Sequence, residues 1–335
     1  MERYDAAIVG GGIIGLASAW RARQRGLNVC VLERGRPGAG ATSAAAGVLA
    51  PDPETRAFTE LARRSWELWP AFAADLGTVG YTQCGSLVLA FGDEEPPSDD
   101  AEWLDRGACL ALEPGVSPEC RGAWHLPRDA QVDPRAVVAA LVRELEDVVR
   151  TSADVVEASP EGVELADGTR IAADAVVLAA GAWTARRLSP LLPVRPVKGQ
   201  TLRLSGPLPA TRIIRSEQVY VVPRANGETV LGATVEDAGF DTEPTAAATE
   251  LLLRQAVRAV PAVAQLEVVE ESAGLRPGTP DDGPLIGEWE GLLVACGHYR
   301  NGILLAPVTA DAIVSILIGE AVPVEIEPFA PRRFA

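Results

Sequence analysis

Three glycines, Gly10, Gly12 and Gly15, and one carboxylate 21 positions after Gly12, Glu33, have the types and spacing to hold a phosphate-bearing nucleotide. Gly10 permits a tight turn, Gly12 lets the backbone approach a pyrophosphate, and Gly15 lets a helix pack closely on a strand. Glu33 can accept hydrogen bonds from an adenosine ribose, and a helix N-terminus adds free N–H groups and partial positive charge for the phosphates. These groups act together only if the flanking elements place them. Tyr4–Val9 reads as a short buried strand, and Leu16, Ala19 and Trp20 are spaced for one face of a helix that ends near Gly26. Asn28–Leu32 reads as the second strand, so strand, glycines, helix and acid arrive in the order a dinucleotide βαβ unit requires. The alternative is a glycine-rich turn in some other α/β protein.

FAD and NAD both use this unit, and the next segment separates them. Arg34 and Gly35 lead into a small-residue loop, Gly38 to Gly47, with Thr42 and Ser43; the run Ala44, Ala45, Ala46, Gly47 lets a flat group lie against the backbone, which favours a flavin. Gly168 to Gly181 reads as a hairpin arm followed by the apolar strand Ala175–Ala180, whose end would sit beside the cofactor. Further on, Val219–Pro223 and Thr229–Ala233 read as two strands joined by a turn at 224–228, with Gln218 and Tyr220 on one face. Helical spacing runs over Thr55–Leu76, through Leu61, Trp66 and Leu68. A long amphipathic helix is expected over Val132–Val149, opened by Asp133 and Pro134. Glu94–Asp100 reads as a solvated acidic loop, and Trp124 and His125 as packing residues, with proton handling by His125 a weaker alternative.

Composition bounds the rest. The chain has 335 residues, 47% hydrophobic and 23% charged, and a formal net charge of −16, which argues against nucleic-acid and anionic-membrane partners. Five cysteines without a CxxC pair suit a reducing, cytoplasmic compartment, and two histidines outside any ligand grouping give no expectation of a metal. The opening residues do not read as a signal peptide, and Pro307 and Asp311 interrupt the apolar stretch Gly302–Gly319 before it reaches a membrane span. Lys198 is the single lysine; coding bias toward arginine is one reading, and an ammonium beside the flavin the other.

The segments GGGIIG (10–15), ATSAAAGVLAP (41–51), VVLAAGAW (176–183), GLRPGTPDDGPLIG (274–287) and GHYRNGILLAP (297–307) together resemble the D-amino acid oxidase superfamily of FAD-dependent oxidoreductases, and within it the ThiO-type glycine oxidase branch. The resemblance spans nearly the whole chain. It implies an α/β Rossmann-like FAD-binding domain built from discontinuous segments, about 1–75, 135–200 and 274–335, with an α+β substrate domain carrying an antiparallel sheet, about 76–134 and 201–273. It implies that Arg276 binds a substrate carboxylate, that Tyr220 reaches the same carboxylate through its hydroxyl, and that Arg300 lies near substrate and flavin. An interfacial aromatic at Tyr220, a surface arginine at Arg276 and a loop-supporting Arg300 are the structural alternatives. FAD contacts are expected from Gly10, Gly12, Ile13, Ile14, Gly15, Glu33, Arg34, Ala41, Thr42, Ser43, Ala46, Gly47, Val48, Leu49, Val155, Gly181, His298, Tyr299, Arg300, Asn301, Gly302, Ile303 and Leu304.

The implied reaction is hydride transfer from Cα of glycine or a small amino acid or amine to the flavin, with O₂ as acceptor. The products are an imine, then a 2-oxo acid and ammonia, and H₂O₂, and thiazole synthesis for thiamine is one destination of the imine. No nucleophile or strong base is needed. Two alternatives stand: a D-amino acid dehydrogenase with another electron acceptor, and a non-catalytic FAD-binding partner module. Sarcosine-oxidase relatives attach flavin through a cysteine at the place of Gly274, so FAD is expected to be noncovalent. A homo-oligomer, tetrameric in relatives, is also implied.

Overall fold

A computed structural model describes residues 3–51, 58–93, 95–98 and 100–335. Strand Arg3–Val9 is fully apolar from Ala6 onward and is buried on both faces, so it takes a central place in a sheet. It pairs in parallel with Val29–Leu32 on one side and Arg170–Leu178 on the other. Leu292–Cys296 adds in parallel beyond Arg170–Leu178, Val149–Arg150 beyond Val29–Leu32, and Leu285–Trp289 closes one edge antiparallel. The hairpin arm and apolar strand expected over Gly168–Gly181 are one strand, Arg170–Leu178, whose first half pairs antiparallel with Gly162–Leu165, which pairs in turn with Val155–Ser159.

The helix Ile13–Gln24 departs from the expected single apolar face. It is buried on nearly every side, because it lies between the sheet and the helices Ala306–Leu317 and Pro134–Glu144. Small residues make that possible, and Ser18 satisfies its hydroxyl by donating to Ile14 O at 2.8 Å. The helix stops where Gly26 takes φ +82°.

Two other helices differ from expectation. Thr59–Leu76 buries Leu61, Ser65, Trp69, Phe72 and Leu76, while Trp66 and Leu68 are only half-buried; residues 55–57 lie outside the described residues. The interior face is set by Ser65 and Trp69, which both donate to Leu304 O, at 2.6 and 2.9 Å. The second helix covers Pro134–Glu144 and not 132–149, because residues 145–148 turn so that Val149 can join the sheet edge. Asp133 caps it by accepting from Arg135 N at 2.9 Å. Of the acidic loop expected at 94–100, Glu94 and Asp99 lie outside the described residues.

A second eight-stranded sheet runs in the order Glu267–Gly278, Arg195–Ser205, Glu228–Gly232, Tyr220–Pro223, Ile213–Arg215, Ser86–Ala90, Gly122–Leu126, Glu102–Asp105. It is antiparallel except between Ile213–Arg215 and Ser86–Ala90. Its two longest strands cross the expected divisions at 200/201 and 273/274. The hairpin of Tyr220–Pro223 and Glu228–Gly232 forms as read, with Tyr220 directly opposite Gly232. Trp124 packs edge-on against Trp103, and its neighbour His125 lies in the same strand, away from the cavity described below. Among the described residues, no helix is long and apolar enough to cross a membrane, and no His, Cys, Asp or Glu group could hold a metal.

Candidate active site

One continuous cavity of about 760 Å³ begins at the carboxyl ends of the parallel strands and reaches the second sheet. At its near end the glycine positions divide into two kinds. A Cβ on Gly10 or Gly15 would come within 3.0 Å of backbone oxygen, at Ala179 and Gly10 respectively, and Gly10 has φ +114°; these two hold strand, helix and returning strand together. A Cβ on Gly12 would meet nothing nearer than Thr42 Oγ1 at 3.6 Å, so its missing side chain leaves room for a ligand at the helix N-terminus. Thr42 Oγ1 accepts from Ile13 N at 3.3 Å and fixes the loop across that opening.

Glu33 is pinned on both oxygens, accepting from Gly11 N and Gly35 N at 2.8 Å each, and still lines the cavity with Arg34 and Val155. Arg34 stacks 4.4 Å from the ring centroid of Trp183. The small-residue loop contains a one-turn helix at Ala41–Ala44 where an irregular loop was expected. Ala41, Ala46, Gly47 and Val48 also line the cavity, as do Gly181 and the 298–303 segment.

Four of the expected positions do not line the cavity. Gly15 packs on Gly10, Ser43 donates to the carbonyls of Ala39 and Gly40, and Leu49 and Leu304 are in the core. The other expected positions, Gly10, Gly12, Ile13, Ile14, Glu33, Arg34, Ala41, Thr42, Ala46, Gly47, Val48, Val155, Gly181, His298, Tyr299, Arg300, Asn301, Gly302 and Ile303, all line the cavity. A contiguous space bounded by a βαβ glycine turn, an acid at the second strand and a small-residue wall has the shape and donor set for FAD.

Tyr220, Arg276 and Arg300 come together at the far end. Arg276 Nη1 donates to Thr234 O at 3.0 Å, and among the described residues the rest of its guanidinium is uncommitted beyond a 3.5 Å approach of Nη1 to Lys198 O. Burial lowers the Arg276 pKa, and burial raises that of Tyr220 against the pull of Arg276 and Arg300. Tyr220 is therefore a neutral hydroxyl donor beside a guanidinium. Arg300 sits on an exposed turn, 5.4 Å from the ring of Tyr299, whose φ is +46°.

The sequence reading missed the floor beneath these side chains. A Cβ on Gly199 would fall inside 3.0 Å of three Arg276 guanidinium atoms, and one on Gly232 inside 3.0 Å of the Tyr220 ring and hydroxyl. The signal available was that Gly199 and Gly232 are glycines inside strands, which marks close approach of another group. Arg215 was also missed: it faces Tyr220 across a strand pair, lines the cavity and lies 3.9 Å from Asp129.

The side chains of Lys198 and His298 both point away from the cavity chemistry, which decides against the flavin-adjacent reading of the Lys198 ammonium. Lys198 is 1% exposed, does not line the cavity, and directs its ammonium to Asp241 Oδ2 at 2.6 Å and Glu243 O at 2.7 Å, so it is not beside the flavin site. The His298 imidazole pairs with Thr309 Oγ1 at 3.0 Å, and burial pushes its pKa down to about 3. A depressed histidine stabilises the fold fully above its unfolded pKa of about 6.5 and loses that contribution as pH falls toward 3. His298→Gln is expected to remove up to ~1.4 kcal/mol per pH unit of acid sensitivity in this window. Urea unfolding at pH 7 and pH 5 measures it; equal slopes for both proteins would refute the assignment.

The FAD dependent oxidoreductase (DAO) family profile matches residues 5–316. The chain is 34% identical to the glycine oxidase of Geobacillus kaustophilus, over 99% of this chain and 97% of that one. It is 36% identical to the bifunctional protein ThiO/ThiG of Trichormus variabilis over 98% of this chain, and spans only 55% of that relative's length. The crystal structure of glycine oxidase from Geobacillus kaustophilus superposes with a TM-score of 0.91 at 32% identity, covering 98% of each chain. With the cavity, the glycine turn and these likenesses in agreement, the chain belongs to the DAO family of FAD dependent oxidoreductases.

Proposed function

We propose that this chain oxidises glycine or another small amino acid or amine, with O₂ as electron acceptor and imine and H₂O₂ as products. The observation that carries this reading is the convergence of Tyr220 and Arg276 on one end of the cavity whose other end has the donor set for FAD. Bound FAD would supply the electron sink for hydride leaving Cα. The chain's own groups position the substrate: Arg276 offers its uncommitted N–H groups to a carboxylate, Tyr220 donates its hydroxyl, and Arg300 adds positive field. Charge-assisted bonds on a planar carboxylate fix which face of Cα meets the cofactor. The amine loses its proton to solvent, since His298 is neutral and buried against Thr309.

The cofactor contacts named above, apart from Gly15, Ser43, Leu49 and Leu304, and a division into a cofactor-binding and a substrate-covering region belong to this reading. The two sheets support the division. A cytoplasmic homotetramer and an imine delivered to thiazole synthesis, both implied by the family, also belong to this reading. Five free cysteines suit the cytoplasm.

FAD is held noncovalently in this reading: Cys296 borders the cavity but is buried, and burial pushes its thiol pKa up to about 12 and keeps it protonated. Acid precipitation should leave a colourless pellet under a yellow supernatant, and a yellow pellet would overturn it. A panel of glycine, sarcosine, D-alanine, D-proline and larger D-amino acids, read by peroxide production, tests the function; peroxide from none of them would refute it.

A further inference from the structure

We propose that Lys198 is a positioning residue: its buried ammonium latches the segment 234–243 across the cavity, and that segment holds the Arg276 guanidinium in place. The proposal rests on the reading of Arg276 as a carboxylate ligand. Lysine heads normally stay in water, and burying one is costly unless it is paired and hydrogen-bonded. Here the pairing is directed at one segment. Nζ donates to Asp241 Oδ2 and to Glu243 O, and the Lys198 backbone exchanges hydrogen bonds with Glu236 at 3.0 and 2.9 Å. Two residues on, Gln200 N donates to Thr234 Oγ1 at 2.9 Å and its side chain bridges Glu236 and Thr245.

The inner side of the latched segment faces the ligand space, where Val235 and Thr242 line the cavity. At its tip Phe240 packs, tilted, against the cavity-lining Trp183, with ring centroids 5.9 Å apart. Most directly, the Thr234 carbonyl is the acceptor that orients Arg276 Nη1. Releasing the ammonium from Asp241 therefore loosens the far end of the segment whose near end, at Thr234, steers Arg276. A salt bridge that served only stability would have no such path to the guanidinium.

The experiment uses the FAD-loaded protein and the single lysine as reporter. Asp241 is half-exposed, so Asp241→Asn removes the charge partner without opening the core; Lys198→Met keeps the stem and removes the charge. Acetate binding is read from the shift of the flavin absorbance, and acetylation by N-hydroxysuccinimidyl acetate from peptide mass, with the α-amine as internal control. Asp241→Asn is expected to weaken acetate binding at least fivefold and to speed Lys198 acetylation at least tenfold. The KM for glycine should rise while kcat stays within twofold, and Lys198→Met should match in acetate binding and KM.

Wild-type acetylation in Asp241→Asn, or faster acetylation with unchanged acetate binding, overturns the proposal. If the wild-type protein fails to oxidise glycine while both non-turnover shifts appear, the proposed activity fails and the latch stands.

Discussion

Arg276→Met is expected to lower kcat/KM for glycine by about 10²- to 10⁴-fold. Each charge-assisted hydrogen bond contributes about 1.5 to 3 kcal/mol, and two of them to one carboxylate amount to about 3 to 6 kcal/mol, at about 1.4 kcal/mol per factor of ten. The loss should exceed that of a surface arginine because Arg276 is buried beside Tyr220 and its guanidinium is oriented by the Thr234 carbonyl. FAD content should be unchanged, since the cofactor end of the cavity is built by the 10–15 turn, Glu33 and the 41–48 loop. Steady-state peroxide assays at matched FAD occupancy measure the effect, and a loss below tenfold would remove Arg276 from carboxylate binding.

Gly199→Ala should have the second largest effect although its side chain gains one methyl. The added Cβ would overlap Nη1, Cζ and Nη2 of Arg276 together, so the whole guanidinium must move. A misplacement of about 1 Å in a group that orients the reacting atoms can cost about 10²-fold. We expect kcat/KM for glycine to fall by about that factor, with acetate binding weakened in parallel and FAD retained. Gly232→Ala should act in the same way through the Tyr220 ring. Wild-type acetate binding in Gly199→Ala would show that the guanidinium has a second acceptable position.

How much of this was legible in the sequence follows from what each residue depends on. The placement of Gly10, Gly12, Gly15 and Glu33 on strand, turn, helix and second strand was readable because it is set by neighbours in a local βαβ unit. The hairpin holding Tyr220 was readable because alternation and the Asn226-Gly227 turn are also local. Burial of the helix Ile13–Gln24 on nearly all sides was not, since it depends on the helix Ala306–Leu317 almost 300 residues away. Leu49 and Leu304 sit inside motif segments that border the cavity, yet adjacency in sequence does not say which way a side chain turns. Lys198 and His298 carried chemistry-bearing side chains whose partners, Asp241 and Thr309, only the tertiary fold reveals. Gly199 and Gly232 left only a faint mark, a glycine where a strand residue was expected.

The central claim is that Tyr220 and Arg276 present a small amino acid to FAD for oxidation. Its most direct test is anaerobic mixing of the FAD-loaded protein with glycine while the flavin absorbance is followed. The band should bleach with glycine and return on admitting O₂, with one H₂O₂ formed per flavin reoxidised. A band that stays unbleached with glycine, sarcosine, D-alanine and D-proline would contradict the account.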